Sequence, residues 1–284
     1  MDSKLIAFGW YGGKFSHLDW LIPLLPKTKH YCEPFGGSAA VLLNREPSPV
    51  ETYNDIDGDI SNFFRVLRNQ KDELIEAIGL TPFSREEFNV AISEPRGSIS
   101  DLERARRFFI RARQVRSGLA QTASNGRWAH CRLTSRAGMA GAVSRWLGSV
   151  EKLPEIAQRL LRVQIENDDA FEVIKRYDSE ETLFYCDPPY PHDTRGDSNA
   201  YSYELSDDDH IKLAELLHSV KGKVALSGYK CELLNTLYSN WNYIEGPSKI
   251  IHSVKQNRTE ILWINYEPES VNEKWEKLQP KFSM

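Results

Sequence analysis

The chain has 284 residues, of which 40% are hydrophobic and 27% charged, and its formal net charge at pH 7 is -4. This length suits one large α/β domain with an insertion, or two domains, and the composition is that of a globular protein. No stretch of about 18 consecutive apolar residues occurs, so we expect a cytoplasmic protein without a membrane span. The four cysteines are scattered and form no Cys-x-x-Cys pair, so we expect no metal site.

Charge is distributed unevenly along the chain. Residues 96–162 contain 14 Lys or Arg and 4 Asp or Glu, a net charge of +10 that leaves -14 for the remainder. Thirteen of these basic residues are arginines, which suit bidentate contacts to phosphate and guanine. A solvated helix face is the alternative, but the excess of arginine favours a surface for a polyanion.

The first motif is Phe8-Gly9-Trp10-Tyr11-Gly12-Gly13-Lys14. Its paired glycines before a lysine resemble a phosphate loop, but the Gly-x4-Gly-Lys-Ser/Thr spacing is missing, so ATP binding is weakly supported. An aromatic ring and a lysine around a flexible turn can instead hold a carboxylate and an adenine. Leucines at helical spacing then predict a helix that stops at Pro26.

A strand, a glycine turn and a helix follow, in the order of a nucleotide-binding crossover. We predict a strand at 29–33, a turn at Pro34-Phe35-Gly36-Gly37-Ser38 and a helix at 39–43. A second strand, 50–55, ends in Asp55, where an acid can accept hydrogen bonds from ribose hydroxyls. The alternative role of Asp55 is to cap the next helix, for which Asp57 or Asp59 is better placed.

From about residue 80 the alternation of strands and helices stops. Residues 101–118 have apolar side chains at helical spacing with arginines on the remaining face. A polar stretch, 121–128, is rich in side chains that hydrogen-bond base edges, and 132–146 adds arginines and small residues. We therefore predict a mostly helical insertion over 80–160. Its base-contacting candidates are Gln121, Asn125, Arg127 and Arg132, and its phosphate-contacting candidates are Arg106 and Arg113.

The α/β pattern resumes with a predicted strand at 161–166 and a helix from Asp168 or Asp169. The apolar run Thr182–Cys186 predicts a buried strand, and 191–203, with Arg195, a flexible loop beside the site. Ser206 and Asp209 have the spacing of a capping box, and 223–227 predicts a strand that turns at Gly228-Tyr229. An antiparallel hairpin of 250–254 and 259–266 is predicted to close the sheet.

The tetrapeptide Asp187-Pro188-Pro189-Tyr190 follows the buried strand, where ligands bind in open α/β sheets. The exocyclic amine of adenine or cytosine is a poor nucleophile because its lone pair is delocalised into the ring. A carboxylate and a rigid proline carbonyl can accept its two N–H bonds and aim the lone pair at an electrophile, while Tyr190 stacks on the base. The alternative is a tight turn with a buried tyrosine.

In their order along the chain, these motifs resemble the Dam-like N6-adenine DNA methyltransferases. The shared segments are Trp10 to Lys14, Glu33 to Gly37, Asn54-Asp55, the insertion, and Asp187 to Tyr190, followed by Leu226 to Tyr229 and Arg258 to Trp263. Two features depart from the family pattern. The second glycine of the Phe-x-Gly-x-Gly turn is Ala39, and the insertion does not resemble that of the GATC-methylating enzymes.

The resemblance implies a Rossmann-like class I methyltransferase sheet, mostly parallel with a terminal antiparallel hairpin, formed by residues 1–79 and 161–284. It also implies S-adenosylmethionine as cofactor, double-stranded DNA as partner and catalysis by the tetrapeptide Asp187, Pro188, Pro189 and Tyr190. A companion restriction endonuclease is a further expectation. Residues implied in cofactor binding are Trp10, Lys14, Glu33, Phe35, Gly37, Asp55, Asp168 or Asp169, and Asp187. Arg195 joins the insertion residues as a DNA contact.

Three other functions were weighed against DNA adenine methylation. An ATP-dependent enzyme built on Gly12-Gly13-Lys14 would lack the Ser/Thr that binds magnesium. A non-catalytic DNA-binding module would not need Asp187 and its rigid neighbours. Methylation of cytosine N4 or of RNA adenine uses nearly the same tetrapeptide chemistry and stays the alternative, although the segment order and the large insertion favour adenine in DNA.

Overall fold

The computed structural model describes residues 4–93, 99–191, 194, 203–251 and 256–267. Seven of its strands form one sheet, and two more form a small hairpin. The strands are β1 His30–Glu33, β2 Val50–Asn54, β3 Ser135–Arg136, β4 Met139–Ala140, β5 Val163–Glu166, β6 Thr182–Cys186, β7 Lys223–Tyr229, β8 Asn242–Ile251 and β9 Gln256–Ile264.

Helices cover the sheet and form most of the insertion. Within the described ranges, no helix is both long and apolar enough to cross a bilayer. The α-helices are α1 Leu18–Leu21, α2 Ala40–Asn44, α3 Gly58–Asn69, α4 Lys71–Gly79, α5 Arg85–Ser93, α6 Asp101–Gln114, α7 Gly141–Val150, α8 Leu153–Leu160, α9 Ala170–Tyr177, α10 Asp207–Ser219 and α11 Glu232–Leu237.

The sheet order is β5-β2-β1-β6-β7-β9-β8. The first five strands are parallel, and β9 is antiparallel to both β7 and β8, which confirms the predicted Rossmann-like sheet. The strand order reverses between β1 and β6, because β1 leads outward to β2 while β6 leads to β7. Ligands bind at this switch point in open α/β sheets. The turn after β1 and the tetrapeptide after β6 both lie there.

Several predicted boundaries at the end of the sheet were wrong. Strand β8 begins at Asn242 rather than at residue 250, and β7 continues through Tyr229, which was predicted to turn. The first half of β8 was not predicted because Gly246 and Pro247 disfavour strands. In the structure β8 pairs with β9 on both sides of these residues, with a register shift between Glu245 and Ser248. The turn of this hairpin was predicted at 255–258, but residues 256–258 belong to β9, and residue 255 lies outside the described residues.

The insertion shares its hydrophobic core with the sheet. Phe108 and Phe109 of α6 pack against Phe63 and Phe64 of α3, and the rings of Phe63 and Phe109 stack with centroids 5.7 Å apart. The helical prediction for this segment is correct, with α6 ending at Gln114 instead of Gly118. The small β3–β4 hairpin was not predicted. Assignment of 80–160 to target recognition stays a prediction.

Helix α6 neutralises much of its own positive charge inside the protein. Asp59 on α3 accepts from Arg104 at 2.7 Å and from Arg111 at 2.6 Å, and is 2% exposed. Arg106 pairs with Glu103 at 2.7 Å and with Glu87 on α5 at 2.9 Å. Arg104 and Arg111 therefore fasten the insertion to the sheet domain, and Arg106 joins α6 to α5 within the insertion.

One contact joins the amino-terminal loop to the insertion. Gly9 forms an isolated parallel bridge with Leu119, and Val115 forms an antiparallel bridge with Trp128. A Cβ atom at Gly9 would lie only 2.7 Å from the carbonyl oxygen of Gly118. Glycine is therefore required at position 9 for this close approach.

Candidate active site

A cavity of about 330 Å³ opens at the switch point of the sheet. Its wall combines the amino-terminal loop, the turns after β1, β2 and β6, and the start of α9. Most of the predicted cofactor residues line it, namely Trp10, Lys14, Glu33, Phe35, Gly37, Asp55, Asp169 and Asp187, together with Pro189. The fold thus brings together motifs that lie up to 177 residues apart in the sequence.

The glycine turn after β1 is bonded to the end of β2. Gly36 donates to the carbonyl of Asn54 at 2.8 Å, and a Cβ atom at Gly36 would lie 2.2 Å from the Tyr53 ring. Gly37 has φ of 49°, and Ala39, in the position of the family's second glycine, has φ of 54°. Alanine therefore occupies a left-handed conformation that glycine adopts more easily. The turn forms despite this departure.

Asp55 lies at the centre of the β2 edge of the cavity. Its carboxylate accepts from the backbone N–H of Gly37 at 2.8 Å and of Asp57 at 2.8 Å. Burial raises the pKa of Asp55 to about 6 despite these two hydrogen bonds. Asp57, not Asp55, caps α3 by accepting from the N–H of Asp59, as anticipated for Asp57 or Asp59.

The α9 side of the cavity distinguishes between the two acids predicted to bind adenine. Asp169 lines the cavity and caps α9. Asp168 instead pairs with Arg176 at 2.7 Å, and this hydrogen bond lowers the pKa of Asp168. Ile56, which is 43% exposed, and Phe171 provide the apolar part of this wall. The geometry therefore favours Asp169 over Asp168 as the cavity acid.

Glu33, the last residue of β1, lines the cavity. It is 2% exposed and accepts a hydrogen bond from the Tyr31 hydroxyl at 2.7 Å. Burial raises the pKa of Glu33 to about 8, so the side chain is mostly a neutral carboxylic acid at pH 7. A protonated acid can donate a hydrogen bond into the cavity, which a carboxylate cannot do.

Asp187 and Lys14 both line the cavity and form an ion pair. The Lys14 ammonium donates to the two Asp187 oxygens at 2.7 and 2.8 Å and to the Gly12 carbonyl at 2.8 Å. Burial raises the pKa of Asp187 to about 6 although Lys14 opposes that rise. Burial would lower the pKa of Lys14, but the Asp187 and Glu260 carboxylates raise it above its ordinary value. Asp187 is therefore anchored, and its ionisation changes near neutral pH.

Tyr190 is buried, with 3% of its surface exposed. Its ring lies edge-on to Tyr229 at 4.8 Å, and its hydroxyl donates to Glu260. Pro189 lines the cavity and Pro188 is buried behind it. Tyr190 is thus buried, as the tight-turn alternative predicts. The Asp187 carboxylate faces the cavity, as the catalytic interpretation requires. Stacking of Tyr190 on a base stays a prediction.

Sequence reasoning missed Glu260 as a member of the site. Its carboxylate lies 3.3 Å from Lys14 and is 2% exposed. A signal was present: Glu260, Leu262 and Ile264 alternate on one face of β9, and the last two belong to the core. A charged residue at a core-facing strand position indicates a buried partner.

The proposed DNA contacts have contrasting surroundings. Arg106 is committed to Glu87 and Glu103, and Arg113 donates to the Ile6 carbonyl at 3.2 Å, with burial lowering the pKa of Arg113 to about 10. We therefore withdraw both from the DNA-binding set, because their guanidinium groups serve the protein interior. Arg195 lies outside the described residues. Among the described residues of the insertion, the exposed arginines are Arg85, Arg116, Arg127, Arg132, Arg136 and Arg145.

The polar turn of the insertion, residues 121–128, contains both exposed and buried side chains. Asn125 and Arg127 are exposed. The amide of Gln121 is buried and, among the described residues, has no hydrogen-bond partner for either its nitrogen or its oxygen. An unpaired buried amide is costly, so a ligand that satisfies it would gain binding free energy.

Comparison with known proteins agrees with this geometry. A profile of the D12 class N6 adenine-specific DNA methyltransferases matches residues 10–259. The type II methyltransferase M.MjaIII of Methanocaldococcus jannaschii is 25% identical over 90% of this chain and 97% of its own length. The DNA adenine methylase of Salmonella typhi is 25% identical, covering 81% and 82%, and the retron Ec67 DNA adenine methylase of Escherichia coli is 25% identical, covering 91% and 93%. The chain therefore belongs to the D12 class of N6 adenine-specific DNA methyltransferases.

Proposed function

We propose that this protein transfers a methyl group from S-adenosylmethionine to the N6 amine of an adenine turned out of double-stranded DNA. The observation that carries the proposal is the placement of Asp187 and Pro189 in the same cavity as Asp55 and Gly37. An acceptor for an amine and an acceptor for ribose hydroxyls thus lie at one switch point.

The residues of the cavity fit the proposed cofactor. Asp55 can accept from the ribose hydroxyls, and Ile56 and Phe171 offer apolar surfaces to the adenine ring. Asp169 can accept from the adenine amine, while Trp10 and Lys14 lie on the methionyl side. The missing side chain at Gly37 lets Trp10 pack against the turn, since a Cβ atom there would come 2.7 Å from the Trp10 ring.

The chemistry follows from the acceptors after β6. When bound, the cofactor supplies an electrophilic methyl group whose bond to sulfur breaks, with its electron pair left on sulfur, as the nitrogen–carbon bond forms. The Asp187 carboxylate and a proline carbonyl of the tetrapeptide accept the two N–H bonds of the target amine and direct its lone pair. One proton then leaves the methylated nitrogen for Asp187, whose pKa of about 6 suits a proton acceptor at neutral pH.

The target base must leave the duplex to reach the end of β6. We assign DNA binding to residues 80–160, with Gln121, Asn125, Arg127 and Arg132 contacting bases and Arg116, Arg136 and Arg145 contacting phosphates. Tyr190 is proposed to stack on the extruded adenine. Duplex DNA carrying 2-aminopurine at the target position should brighten on binding, and constant fluorescence on a sequence that the enzyme methylates would contradict extrusion.

A product assay with variants tests the activity. Purified protein, S-adenosylmethionine and genomic DNA should yield N6-methyladenine on nucleoside analysis, and no N4-methylcytosine. Asp187→Ala should abolish turnover and leave DNA affinity nearly unchanged, because Asp187 acts on the reacting amine. Asp178→Ala is the matched control, since Asp178 bonds backbone N–H groups of 221 and 222 at the opposite end of β6. Substantial turnover by Asp187→Ala would mean that a group other than Asp187 orients the target amine.

The role in the cell stays a prediction. The similar proteins include one named as a type II methyltransferase and others named as DNA adenine methylases. We keep the expectation of a companion restriction endonuclease on the basis of the first of these names.

A further inference from the structure

Glu260 contacts Lys14, which lines the catalytic cavity, from a strand that carries none of the other residues of the site. It lies on β9, directly across from Tyr229 on β7, two strands away from the end of β6. Its side chain is only 3% exposed. Removing a carboxylate from water to this extent is costly unless it is paired and hydrogen-bonded.

The partners of Glu260 are the groups that also contact Asp187. The Tyr190 hydroxyl donates to Glu260 and lies 3.1 Å from Asp187. The Lys14 ammonium, which donates to both Asp187 oxygens, is 3.3 Å from Glu260. Two carboxylates thus share one lysine and one tyrosine.

Binding of the target amine would bring a further hydrogen-bond donor to Asp187. Asp187 must accept an N–H bond from the target amine, yet both of its oxygens already accept from Lys14. An ammonium has three donors, and Lys14 uses the remaining capacity on the Gly12 carbonyl. Each carboxylate oxygen can accept two hydrogen bonds, so the target amine would compete with Lys14 for Asp187 without requiring Lys14 to leave. A second anion within reach would let Lys14 shift while it keeps a buried counter-charge.

We propose that Glu260 is a positioning residue of the methyl transfer, which receives Lys14 when Asp187 engages the target amine and holds Tyr190 through its hydroxyl. The inference rests on the proposed function of Asp187. The exchange needs only a small movement of Lys14, since its ammonium already lies 3.3 Å from the Glu260 carboxylate.

The exchange also changes the basicity of Asp187 in the useful direction. Lys14 lowers the pKa of Asp187, whereas burial and the charge of Glu260 raise it. When Lys14 moves to Glu260, the Asp187 carboxylate becomes a stronger acceptor for the proton that the methylated amine must lose. The other titratable groups that interact electrostatically with this cluster include Glu33, Tyr185, Cys186, Tyr190 and Tyr229.

Glu260→Gln tests the proposal because it keeps the size and hydrogen-bonding atoms of the side chain and removes the charge. We expect kcat to fall roughly tenfold to a hundredfold, as for other losses of positioning, with KM for DNA changed less than about twofold. The acid limb of kcat against pH should move to lower pH, because Asp187 loses a neighbouring negative charge and keeps Lys14.

Glu51→Gln is the matched control for loss of a buried, ion-paired carboxylate. Glu51 bonds Arg159 at 2.6 Å at the amino end of β2, away from the cavity. This variant should lower Tm but leave the pH midpoint of kcat unchanged. If Glu260→Gln behaves like it, with an unmoved midpoint, Glu260 only supports packing and the proposal is overturned.

A double-mutant cycle separates the exchange from simple loosening of the site. If Glu260 acts through Lys14, its substitution should reduce kcat far less in a Lys14→Gln background than in the otherwise unaltered protein. A reduction of equal size in both backgrounds would mean that Glu260 acts independently of Lys14 and would overturn the proposal. Methylation by the unaltered protein and inactivity of Asp187→Ala test the proposed function separately, so the two failures are distinguishable.

Discussion

At the scale of single residues, Asp55 links the fold to the proposed cofactor. Its two backbone donors fix the carboxylate at the end of β2, and burial raises its pKa to about 6. A charge held in this way is available to ribose hydroxyls only while the group stays ionised. Cofactor affinity should therefore depend on pH in a range where free aspartate is fully charged.

We predict that Asp55→Asn weakens S-adenosylmethionine binding by at least about tenfold, because hydrogen bonds to a charged group are worth roughly 1.5–3 kcal/mol. Affinity of the unaltered protein should fall as pH decreases through about 6, where Asp55 takes up a proton. Calorimetric titration without DNA measures both effects, with Asp178→Asn as the control. Unchanged affinity in Asp55→Asn would remove Asp55 from the site.

Glu33 allows a stability prediction with a definite sign. Its pKa in the folded protein is about 8, above the ordinary value of 4.5, so folding favours its protonated form. The stability it contributes is complete below about pH 4.5 and is lost as pH rises through about 8. We predict that Tm of the unaltered protein falls between pH 7 and pH 9 and that Glu33→Gln reduces this fall. Parallel melting curves for the two proteins would contradict the assignment.

Residue roles were predictable where they depended on short motifs and not where they depended on distant partners. Asp187, Asp55 and Gly37 were predictable because their neighbours in sequence define a strand end or a turn. The internal role of Arg111 was not, since its partner Asp59 is 52 residues away. Glu260 belongs to the same class, because its partner Lys14 lies near the other end of the described chain.

At the scale of elements, α6 and the stretch after it divide the arginines into two groups. Four arginines of α6 bind acids of α3, α5 and α6, and Arg113 donates to the Ile6 carbonyl, whereas Arg116, Arg127, Arg132, Arg136 and Arg145 are exposed. The sequence predicted a basic segment correctly, but a helical period cannot show which of its charges are neutralised by a neighbouring helix. The proposed DNA surface is consequently shorter than the charged segment.

We predict opposite consequences for the two groups. Arg116→Ala or Arg136→Ala should weaken DNA binding, and loss of a phosphate contact should reduce the slope of log K against log salt by about 0.9. Arg106→Ala should instead cost about 1–3 kcal/mol of stability, because Glu87 loses its ion pair and Glu103 keeps only Arg107, with the salt slope unchanged. Fluorescence anisotropy at several salt concentrations, alongside chemical denaturation, measures both. A reduced slope for Arg106→Ala would restore it to the DNA surface.

Sequence specificity belongs to the polar turn at the same scale. Substitutions at Gln121, Asn125, Arg127 or Arg132 should relax the recognised sequence, since each base contact is worth roughly 1–3 kcal/mol of discrimination. Methylome sequencing of cells expressing each variant is the measurement. Uniform loss of methylation with the same site preference would place recognition elsewhere, with the 191–203 segment the next candidate.

At the scale of the whole molecule, the insertion and the sheet do not fold around separate cores. Phe63 and Phe64 of α3 meet Phe108 and Phe109 of α6 in one cluster. The sequence suggested an appended segment because the strand–helix alternation stops near residue 80. Periodicity reports which face of a helix is apolar but not which partner covers it, so the shared core was beyond prediction.

The bridge between Gly9 and Leu119 offers a test at this scale. Trp10 and Lys14 line the cavity directly after Gly9, and Leu119 precedes the polar turn that we assign to DNA. Because a Cβ atom at Gly9 would lie 2.7 Å from Gly118, Gly9→Ala must separate the two segments. We predict weaker binding of both cofactor and DNA in this variant. Gly148→Ala is the control, since a Cβ there meets nothing within 4 Å.

The same bridge makes the two binding events thermodynamically linked. If seating DNA against the polar turn tightens the loop around the cofactor by some factor, then the cofactor must tighten DNA binding by that same factor, because coupling free energy is reciprocal. The two affinity ratios, each measured with and without the other ligand, should agree in the unaltered protein and both approach one in Gly9→Ala. A single backbone contact would then let the enzyme hold its methyl donor most firmly when DNA is in place to receive the methyl group.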